Sequence, residues 1–368
     1  MRVLFFSVSI GAGHDLAARA LAEEVMARHP GGRIKIVDTF RYINPVLNKV
    51  IVGSYIESLK FNPKIWGYLY DQAEEGDKFI DLSQLLSKML SAKLEKLVEE
   101  FRPDAIVCTH AFPAGILSVL KSRGKLPVPL VGVLTDFTVH PFWIHEHVDT
   151  YFIPAEDLKY QLMDMGVRKS AIKPFGIPVR KEFSENPGKK KVREKLGLAD
   201  RTTILLMGGG LGLGDMKKYL DILGNCDEEL QILCIAGKND RLRTALELTP
   251  VKNATRVWGF VDNVPELMAA SDMIITKPGG LTTAEVLAME LPMVIVTPLP
   301  GQEDRNTEFL LNAGVAVKVR KPEFLVANIK QLLKNPLRLK TMRQMAQYYG
   351  KPRSAQEAVG YLEELAAY

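Results

Sequence analysis

The chain has 368 residues, 47% hydrophobic and 25% charged, which is enough for two globular domains of ordinary size. Its formal net charge of +5 favours anionic partners, such as a nucleotide, nucleic acid or an anionic membrane face, without choosing among them. No apolar run approaches the length of about 18 residues that a membrane-spanning helix needs, and the three cysteines have neither disulfide-framework nor metal-site spacing.

The first half of the chain alternates predicted strands with predicted helices. Such alternation, with glycine turns at the strand ends, predicts a parallel sheet covered by helices on both faces. The helices are predicted over Asp15–Arg28 and Leu82–Glu100. The strands are predicted at Val3–Ser9, Ile34–Val37, Ala105–Thr109, Val128–Thr135 and Tyr151–Ile153.

The second half repeats this plan. Strands are predicted at Thr203–Met207, Ile232–Ala236, Arg256–Trp258, Met273–Thr276 and Met293–Thr297. The fold class is therefore α/β, with two Rossmann-like, doubly wound parallel-sheet domains that face each other across a cleft. We place the domains at residues 1–180 and 181–368, and the last helix can return to the first domain. Gly176–Lys195 is the best linker candidate, and its lysine run is interpreted as a solvated linker.

A glycine turn, Gly11-Ala-Gly13-His14, follows the first strand at the edge where open α/β sheets bind their ligands. Leu16 stands where a dinucleotide fingerprint needs its third glycine, which disfavours a nicotinamide cofactor. His14 lies where a general base can reach a substrate hydroxyl. It is equally placed to cap the helix Asp15–Arg28, and both interpretations stay open.

The second informative turn follows the strand Met273–Thr276. Gly279 and Gly280 precede a helix that is predicted to begin near Thr282, and a helix N-terminus commonly binds phosphate. The two glycines indicate either a turn with positive φ or a close approach of a diphosphate to the backbone. Thr282 and Glu285 match a capping box, and this local pattern favours a cap over a ligand role for Glu285.

Three further stretches have a functional and a structural interpretation. Pro298–Asn306 is either a surface loop or a polar cluster that binds a sugar. Thr135–His147 contains three histidines but no third metal ligand at a recognised spacing, so we prefer a wall that contacts an acceptor to a metal site. Tyr55–Tyr70 mixes aromatic residues with nearby lysines, which is typical of a core helix pair or of a membrane interface.

Taken together and in this order, the motifs resemble the diacylglycerol glycosyltransferases of glycosyltransferase family 28. That group comprises monogalactosyldiacylglycerol synthases and the bacterial processive diacylglycerol β-glucosyltransferases. The resemblance extends over nearly the whole chain, to at least Gly314. The motifs that carry it are Gly-Ala-Gly-His14; Thr135-Asp136-Phe with His140, Trp143 and His145; Gly176-Ile-Pro178; Lys277-Pro-Gly-Gly-Leu-Thr282 with Glu285; and Pro300-Gly-Gln-Glu303 with Asn306.

The resemblance implies a GT-B fold and a set of site residues. His14 would be the catalytic base, with Asp136 as the runner-up. Glu285 would hold the ribose of the donor, and the backbone near Phe260 and Val261 would meet uracil. The residues implied to bind the donor are Gly208, Gly209, Gly210, Phe260, Val261, Gly279, Gly280, Leu281, Thr282, Glu285, Gln302, Glu303 and Asn306. Those implied to bind the acceptor are Gly13, His140, Trp143 and His145.

The implied activity is inverting transfer of glucose or galactose from a UDP-sugar to the sn-3 hydroxyl of 1,2-diacylglycerol, without a metal and without a cofactor beyond the donor substrate. The implied location is cytoplasmic, at the anionic inner face of the cell membrane, with no nucleic acid partner. Two other enzymatic interpretations remain: a UDP-GlcNAc-dependent transferase acting on a polyprenyl-linked saccharide, and a UDP-sugar epimerase. A non-enzymatic UDP-sugar sensor at the membrane surface is the fourth.

Overall fold

The structure is a computed structural model that describes residues 1–9, 12–43, 80–185, 187–210, 212 and 214–367, with side chains described from residue 91 onward in the third range. The aromatic stretch Tyr55–Tyr70 lies outside the described residues. The chain divides into two compact units. The first unit comprises Met1–Arg180, Pro300–Gln302 and Arg353–Tyr368, and the second unit comprises Lys181–Leu299 and Glu303–Pro352.

The first unit contains a parallel sheet of six described strands in the order β2-β1-β3-β4-β5-β6. The strands are β1 (Arg2–Ser7), β2 (Arg33–Asp38), β3 (Ala105–Cys108), β4 (Leu130–Val133), β5 (Thr150–Phe152) and β6 (Ile172–Lys173). The described helices are α1 (Gly13–Arg28), α2 (Thr39–Ile43), α3 (Ile80–Phe101), α4 (Ala111–Ser122) and α5 (Leu158–Asp164). Leu4 and Phe6 belong to one buried cluster and Val3 and Phe5 to another, as expected for a sheet covered on both faces.

The second unit contains a parallel sheet of six strands in the order β12-β11-β10-β7-β8-β9. The strands are β7 (Thr203–Met207), β8 (Gln231–Ile235), β9 (Ala254–Trp258), β10 (Met273–Thr276), β11 (Met293–Ile295) and β12 (Ala316–Lys318). The helices are α6 (Lys189–Leu196), α7 (Met216–Gly224), α8 (Asp240–Glu247), α9 (Val264–Ala270), α10 (Gly280–Ala288), α11 (Gln302–Asn312), α12 (Leu325–Leu333) and α13 (Pro336–Tyr349). The α/β fold predicted from the sequence is confirmed, and both sheets are doubly wound.

The last helix, α14 (Ser354–Ala366), belongs to the first unit. Four of its residues lie in the buried cluster that contains β1 and α1, and their spacing forms one helical stripe. These residues are Ala355, Ala358, Val359 and Leu362. Its polar side is tied to the end of α1, where Arg28 donates to the Gln356 carbonyl at 2.8 Å and His29 Nε2 lies 2.8 Å from Glu363 Oε1.

The lysine run in the linker candidate forms the start of α6. Gly188 precedes this helix, and Gly197, with φ 60°, ends it. Lys189 Nζ pairs with Asp272 Oδ1 at 2.7 Å, and its side chain is 39% exposed. The run is therefore not a linker, because it forms the first turn of a helix of the second unit. Its solvated character is confirmed for Lys190 and Lys191, which are exposed.

Candidate active site

In the first unit, three strand ends converge on one imidazole. β1 and β3 are neighbours whose following connections diverge, which is where doubly wound sheets bind ligands. His14 lies in the first turn of α1, after β1. Its Nδ1 is 2.7 Å from the carbonyl oxygen of Thr109, which follows β3, and 2.9 Å from Oγ1 of Thr135, which follows β4. Gly11 of the same turn lies outside the described residues.

The contact with Thr109 determines the tautomer of His14. A carbonyl oxygen only accepts hydrogen bonds, so Nδ1 carries the hydrogen and Nε2 of the neutral ring keeps its lone pair. Burial lowers the pKa of His14, and the bond to Thr109 and the nearby Asp15 carboxylate partly oppose that shift. The ring is therefore mainly neutral at pH 7 and able to accept a proton. The capping interpretation is wrong, because Ala12 occupies the N-cap of α1 and no side chain caps the helix.

Two further polar side chains surround His14. The Asp15 carboxylate accepts hydrogen bonds from the hydroxyls of Ser7 and Ser9, the latter at 2.8 Å. The His110 ring lies edge-on to His14, with the ring centroids 4.8 Å apart. Its Nδ1 accepts the Phe112 N–H at 3.1 Å at the start of α4, and burial holds the pKa of His110 well below its usual range.

In the second unit, the turns after β7 and β10 lie side by side, because β7 and β10 are neighbours at the point where the strand order reverses. The turn after β7 contains Gly208, Gly209 and Gly210, and Lys238 N–H donates to the Gly210 carbonyl at 3.0 Å. A Cβ at Gly237, where φ is +62°, would lie 2.6 Å from the Gly210 oxygen. The turn after β7 is thus packed so closely against the turn after β8 that position 237 requires glycine.

The turn after β10 differs from the sequence-based prediction. α10 begins at Gly280, with Gly279 at the N-cap in an extended conformation (φ −65°, ψ 140°) and no capping side chain. The capping box is therefore wrong, because Thr282 already lies inside the helix and only the residue before a helix can cap it in this way. Because φ of Gly279 is negative, a left-handed turn is not the reason for a glycine at this position. Leu281 is buried in the first turn of α10, and Glu285 is partly exposed in the second turn of this helix.

A polar cluster connects this turn to the start of α11. Lys277 Nζ pairs with Oε1 of Glu303, and the Leu299 N–H donates to Oε2 at 2.8 Å. Asn306, fully buried, donates through Nδ2 to the Pro278 carbonyl at 3.0 Å. The structure therefore brings Gly279, Glu303 and Asn306 together within the second unit, with both Glu303 carboxylate oxygens already hydrogen-bonded.

The chain is similar to known glycosyltransferases over most of its length. Residues 14–179 match the monogalactosyldiacylglycerol (MGDG) synthase family, and residues 203–358 match the glycosyltransferase family 28 C-terminal domain. A processive diacylglycerol beta-glucosyltransferase of Bacillus licheniformis is 30% identical over 93% of this chain and 89% of its own length. The protein of the same name from Bacillus thuringiensis is 30% identical over 99% of this chain and 93% of its own length.

The chain belongs to glycosyltransferase family 28. The resemblance seen in the motifs is thereby confirmed, and this family-28 chain is a glycosyltransferase.

Solved structures agree on the fold. MurG of Acinetobacter baumannii superposes with a TM-score of 0.65 at 16% identity, covering 99% of both chains. The UDP-GlcNAc 2-epimerase of Neisseria meningitidis, bound to UDP-GlcNAc, gives 0.60 at 15% identity, covering 99% of this chain and 100% of its own. These likenesses establish the GT-B fold of the family-28 chain and nothing about its substrates.

Three of the four acceptor-side candidates contact neighbouring residues of the first unit. Trp143 is buried and lies near Gly132 of β4, and buried His140 accepts the Phe142 N–H at 3.2 Å through Nδ1. His145 lies against α4, where a Cβ at Gly115 would be 2.9 Å from its Cε1. Direct contact of these three side chains with an acceptor stays a prediction.

The remaining candidates are placed as follows. Gly13 is the first residue of α1, and Asp136, half-buried, follows β4. Gln302, the first residue of α11, is grouped with the first unit. Phe260 is 54% exposed after β9, with Lys238 Nζ 5.3 Å from its ring centroid, and Val261 follows it. The catalytic or binding role of each stays a prediction.

Sequence reasoning missed two residues of the family-28 chain that contact these candidates. Lys277 pairs with Glu303, and its Cε lies 3.4 Å from the position of a Cβ at Gly209, so one lysine contacts both glycine turns. His110 touches His14 although the two are far apart in the sequence. Their position in the sequence could have identified them, because both residues lie within two positions of a strand end at the ligand-binding edge. Within the described residues, no group of three His, Cys, Asp or Glu side chains could hold a metal ion.

Proposed function

We propose that this chain transfers a hexose from a UDP-hexose to the sn-3 hydroxyl of 1,2-diacylglycerol, with inversion at the anomeric carbon, in the synthesis of membrane glycolipids. The observation that carries the proposal is the 30% identity over 93% of the chain to a protein named processive diacylglycerol beta-glucosyltransferase. The same name favours UDP-glucose over UDP-galactose as the donor.

The proposed reaction is one direct displacement with His14 as the base. Nε2 of His14 takes the proton of the sn-3 hydroxyl while that oxygen attacks C1 of the hexose. The C1–O bond to the diphosphate breaks, and its electron pair leaves with UDP. The imidazolium that forms keeps its Nδ1–H bonded to the Thr109 carbonyl, which supports the positive charge. Asp136 is the alternative base.

Apart from Gln302, the residues of the proposed donor site belong to the second unit. The N-terminus of α10 and the glycine turn after β7 would direct backbone N–H groups at the diphosphate and so stabilise the leaving group without a metal. Glu285 would accept hydrogen bonds from the ribose hydroxyls, and Gln302 and Glu303 would contact the hexose. Lys277, beside both glycine turns, would add a positive charge.

The protein would act as a peripheral enzyme on the inner face of the cell membrane. The net charge of +5 suits an anionic lipid surface. Within the part of the chain that the structure describes, no helix has the length and apolar character to cross a bilayer.

The proposal is tested with purified protein, radiolabelled UDP-glucose, UDP-galactose or UDP-GlcNAc, and either diacylglycerol in mixed micelles or a polyprenyl-linked saccharide. We expect a labelled glycosyl-diacylglycerol from UDP-glucose, with a β-linkage by NMR. Product only on the polyprenyl-linked acceptor would refute the diacylglycerol proposal. Turnover of UDP-GlcNAc without any lipid would indicate an epimerase, and tight UDP-sugar binding without turnover would indicate a sensor.

A further inference from the structure

Two oxygen atoms lie within hydrogen-bonding distance of the same nitrogen, His14 Nδ1. The Thr109 carbonyl oxygen is 2.7 Å away and the Thr135 hydroxyl oxygen is 2.9 Å away. Since the carbonyl cannot donate, the hydrogen is on Nδ1 and lies between two acceptors. The Thr135 hydroxyl therefore accepts from the imidazole rather than donating to it.

The position of Thr135 follows from the sheet. This residue follows β4, which pairs with β3, the strand that leads to Thr109. Thr135 is 4% exposed, so water does not compete for its oxygen. A hydroxyl that accepts from Nδ1–H binds the imidazolium more strongly than the neutral ring, because hydrogen bonds from a charged donor are about twice as strong.

We infer that Thr135 is a positioning residue for His14. Its hydroxyl and the Thr109 carbonyl together fix the ring with Nε2 as the proton acceptor and stabilise the imidazolium that forms during transfer. The part of this inference that concerns transfer rests on the proposed function. The part that concerns the tautomer and protonation of His14 does not.

The other titratable groups beside His14 are held by different partners. The Asp15 carboxylate accepts hydrogen bonds from the Ser7 and Ser9 hydroxyls, and His110 Nδ1 accepts the Phe112 N–H. Among the described side chains, Thr135 is the one that is hydrogen-bonded to the His14 ring. A change at Thr135 therefore alters the surroundings of Nδ1 and leaves these two neighbours in place.

The kinetic test compares Thr135→Val, Thr135→Ser and the control Thr39→Val. Thr39 is also a buried threonine that follows a strand of the same sheet, and its hydroxyl donates to the Ser7 carbonyl at 2.9 Å rather than bonding to His14. We expect Thr135→Val to lower kcat by about tenfold or more and to leave KM for both substrates within about twofold. Thr135→Ser should restore kcat to within about threefold, and Thr39→Val should keep the wild-type kcat.

The second measurement is NMR of the protein labelled with ¹⁵N-histidine, with His14→Gln used for assignment. We expect the hydrogen of neutral His14 on Nδ1. Because Thr135 stabilises the imidazolium, His14 of Thr135→Val should titrate at lower pH than in the wild type, and the acid limb of kcat/KM should move in the same direction. Thr39→Val should titrate like the wild type.

A hydrogen on Nε2, or a Thr135→Val protein whose kcat and titration match those of Thr39→Val, would overturn the inference. Absence of hexosyl transfer to diacylglycerol by the wild-type protein would refute the proposed function instead. The NMR titration would still decide whether Thr135 controls the protonation of His14.

Discussion

At the scale of single residues, His14 has the properties that a general base requires. One ring nitrogen is fixed to the Thr109 carbonyl, the other keeps its lone pair, and burial lowers the pKa of the ring below the ordinary histidine value of about 6.5. Asp15 supplies a nearby negative charge for the imidazolium. These properties lead to a prediction about both rate and pH.

We expect His14→Ala to lower kcat about 10²–10⁴-fold with little change in KM for UDP-glucose, because the variant lacks the base and keeps the donor site. In the wild type, kcat/KM should fall only as the pH drops through the lowered pKa of His14, since protonation removes the lone pair. Steady-state assays between about pH 5 and 8 measure both effects. Near-wild-type turnover by His14→Ala would exclude His14 and leave Asp136 as the candidate.

The structure also allows a direct test of the ribose role proposed for Glu285. Because α10 begins at Gly280 and no side chain caps it, exchanging the Glu285 carboxylate for an amide removes no cap. If Glu285 binds the ribose as proposed, Glu285→Gln should raise KM for UDP-glucose about tenfold or more, since two ribose hydroxyls would lose a charged acceptor, and should leave the thermal midpoint unchanged. Glu308→Gln, an exposed change on α11, is the control. An unchanged KM would rule out the ribose role.

At the scale of elements, the central strands were predictable and the short edge strands were not. β7 and β10 match their predicted bounds because each is a buried apolar run that ends at a polar residue or a glycine. β6 and β12 do not stand out in the sequence, because edge strands of two and three residues produce too short a hydrophobic pattern. The start of α10 was predicted too late because the Thr282 signal is local and the backbone at Gly279 already has the N-cap conformation.

The candidate site was predictable in position but not in contacts. Glycine turns at strand ends identify the ligand edge of each sheet, because parallel strands end together there. The bonds from His14 to Thr109 and from Lys277 to Glu303 join residues 95 and 26 positions apart, and no local pattern encodes them. The sequence therefore showed Lys277 as part of a motif and did not show its contact with Glu303.

Two glycines of the second unit, Gly237 after β8 and Gly279 after β10, allow a matched pair of substitutions. Gly237→Ala places a methyl group 2.6 Å from the Gly210 oxygen at positive φ, so we expect a loss of about 1–3 kcal/mol in the free energy of unfolding. Gly279→Ala has negative φ, and the nearest atom is 3.8 Å away, so folding should be unaffected while the Kd for UDP rises. Thermal melts and calorimetric titration with UDP measure the two effects.

If Gly279→Ala binds UDP as tightly as the wild type, the diphosphate does not approach the backbone at this turn. If Gly237→Ala melts at the wild-type temperature, the close packing of the turns after β7 and β8 does not constrain the second unit. Gly31→Ala is the control, because nothing lies within 4 Å of a Cβ at that position.

At the scale of the whole molecule, the chain builds the first unit from both of its ends. The sequence predicts domains at residues 1–180 and 181–368, with a last helix that can return to the first domain. In the structure α14 lies with the core of β1 and α1. The stability of the first unit must therefore depend on residues that follow the whole second unit in the sequence.

This dependence can be measured with two leucines. Leu362 of α14 is 0% exposed in the core of the first unit, whereas Leu337 of α13 is 74% exposed on the second. We expect Leu362→Ala to lower the free energy of unfolding by about 2–5 kcal/mol, because it leaves a cavity beside β1 and α1, and Leu337→Ala to change it by less than about 0.5 kcal/mol. Hydrogen exchange should show that Leu362→Ala weakens protection in β1, which is distant in sequence, and preserves protection in β7. Equal loss of protection in both strands would mean that the two units unfold together, and no loss in β1 would mean that α14 does not stabilise the first sheet.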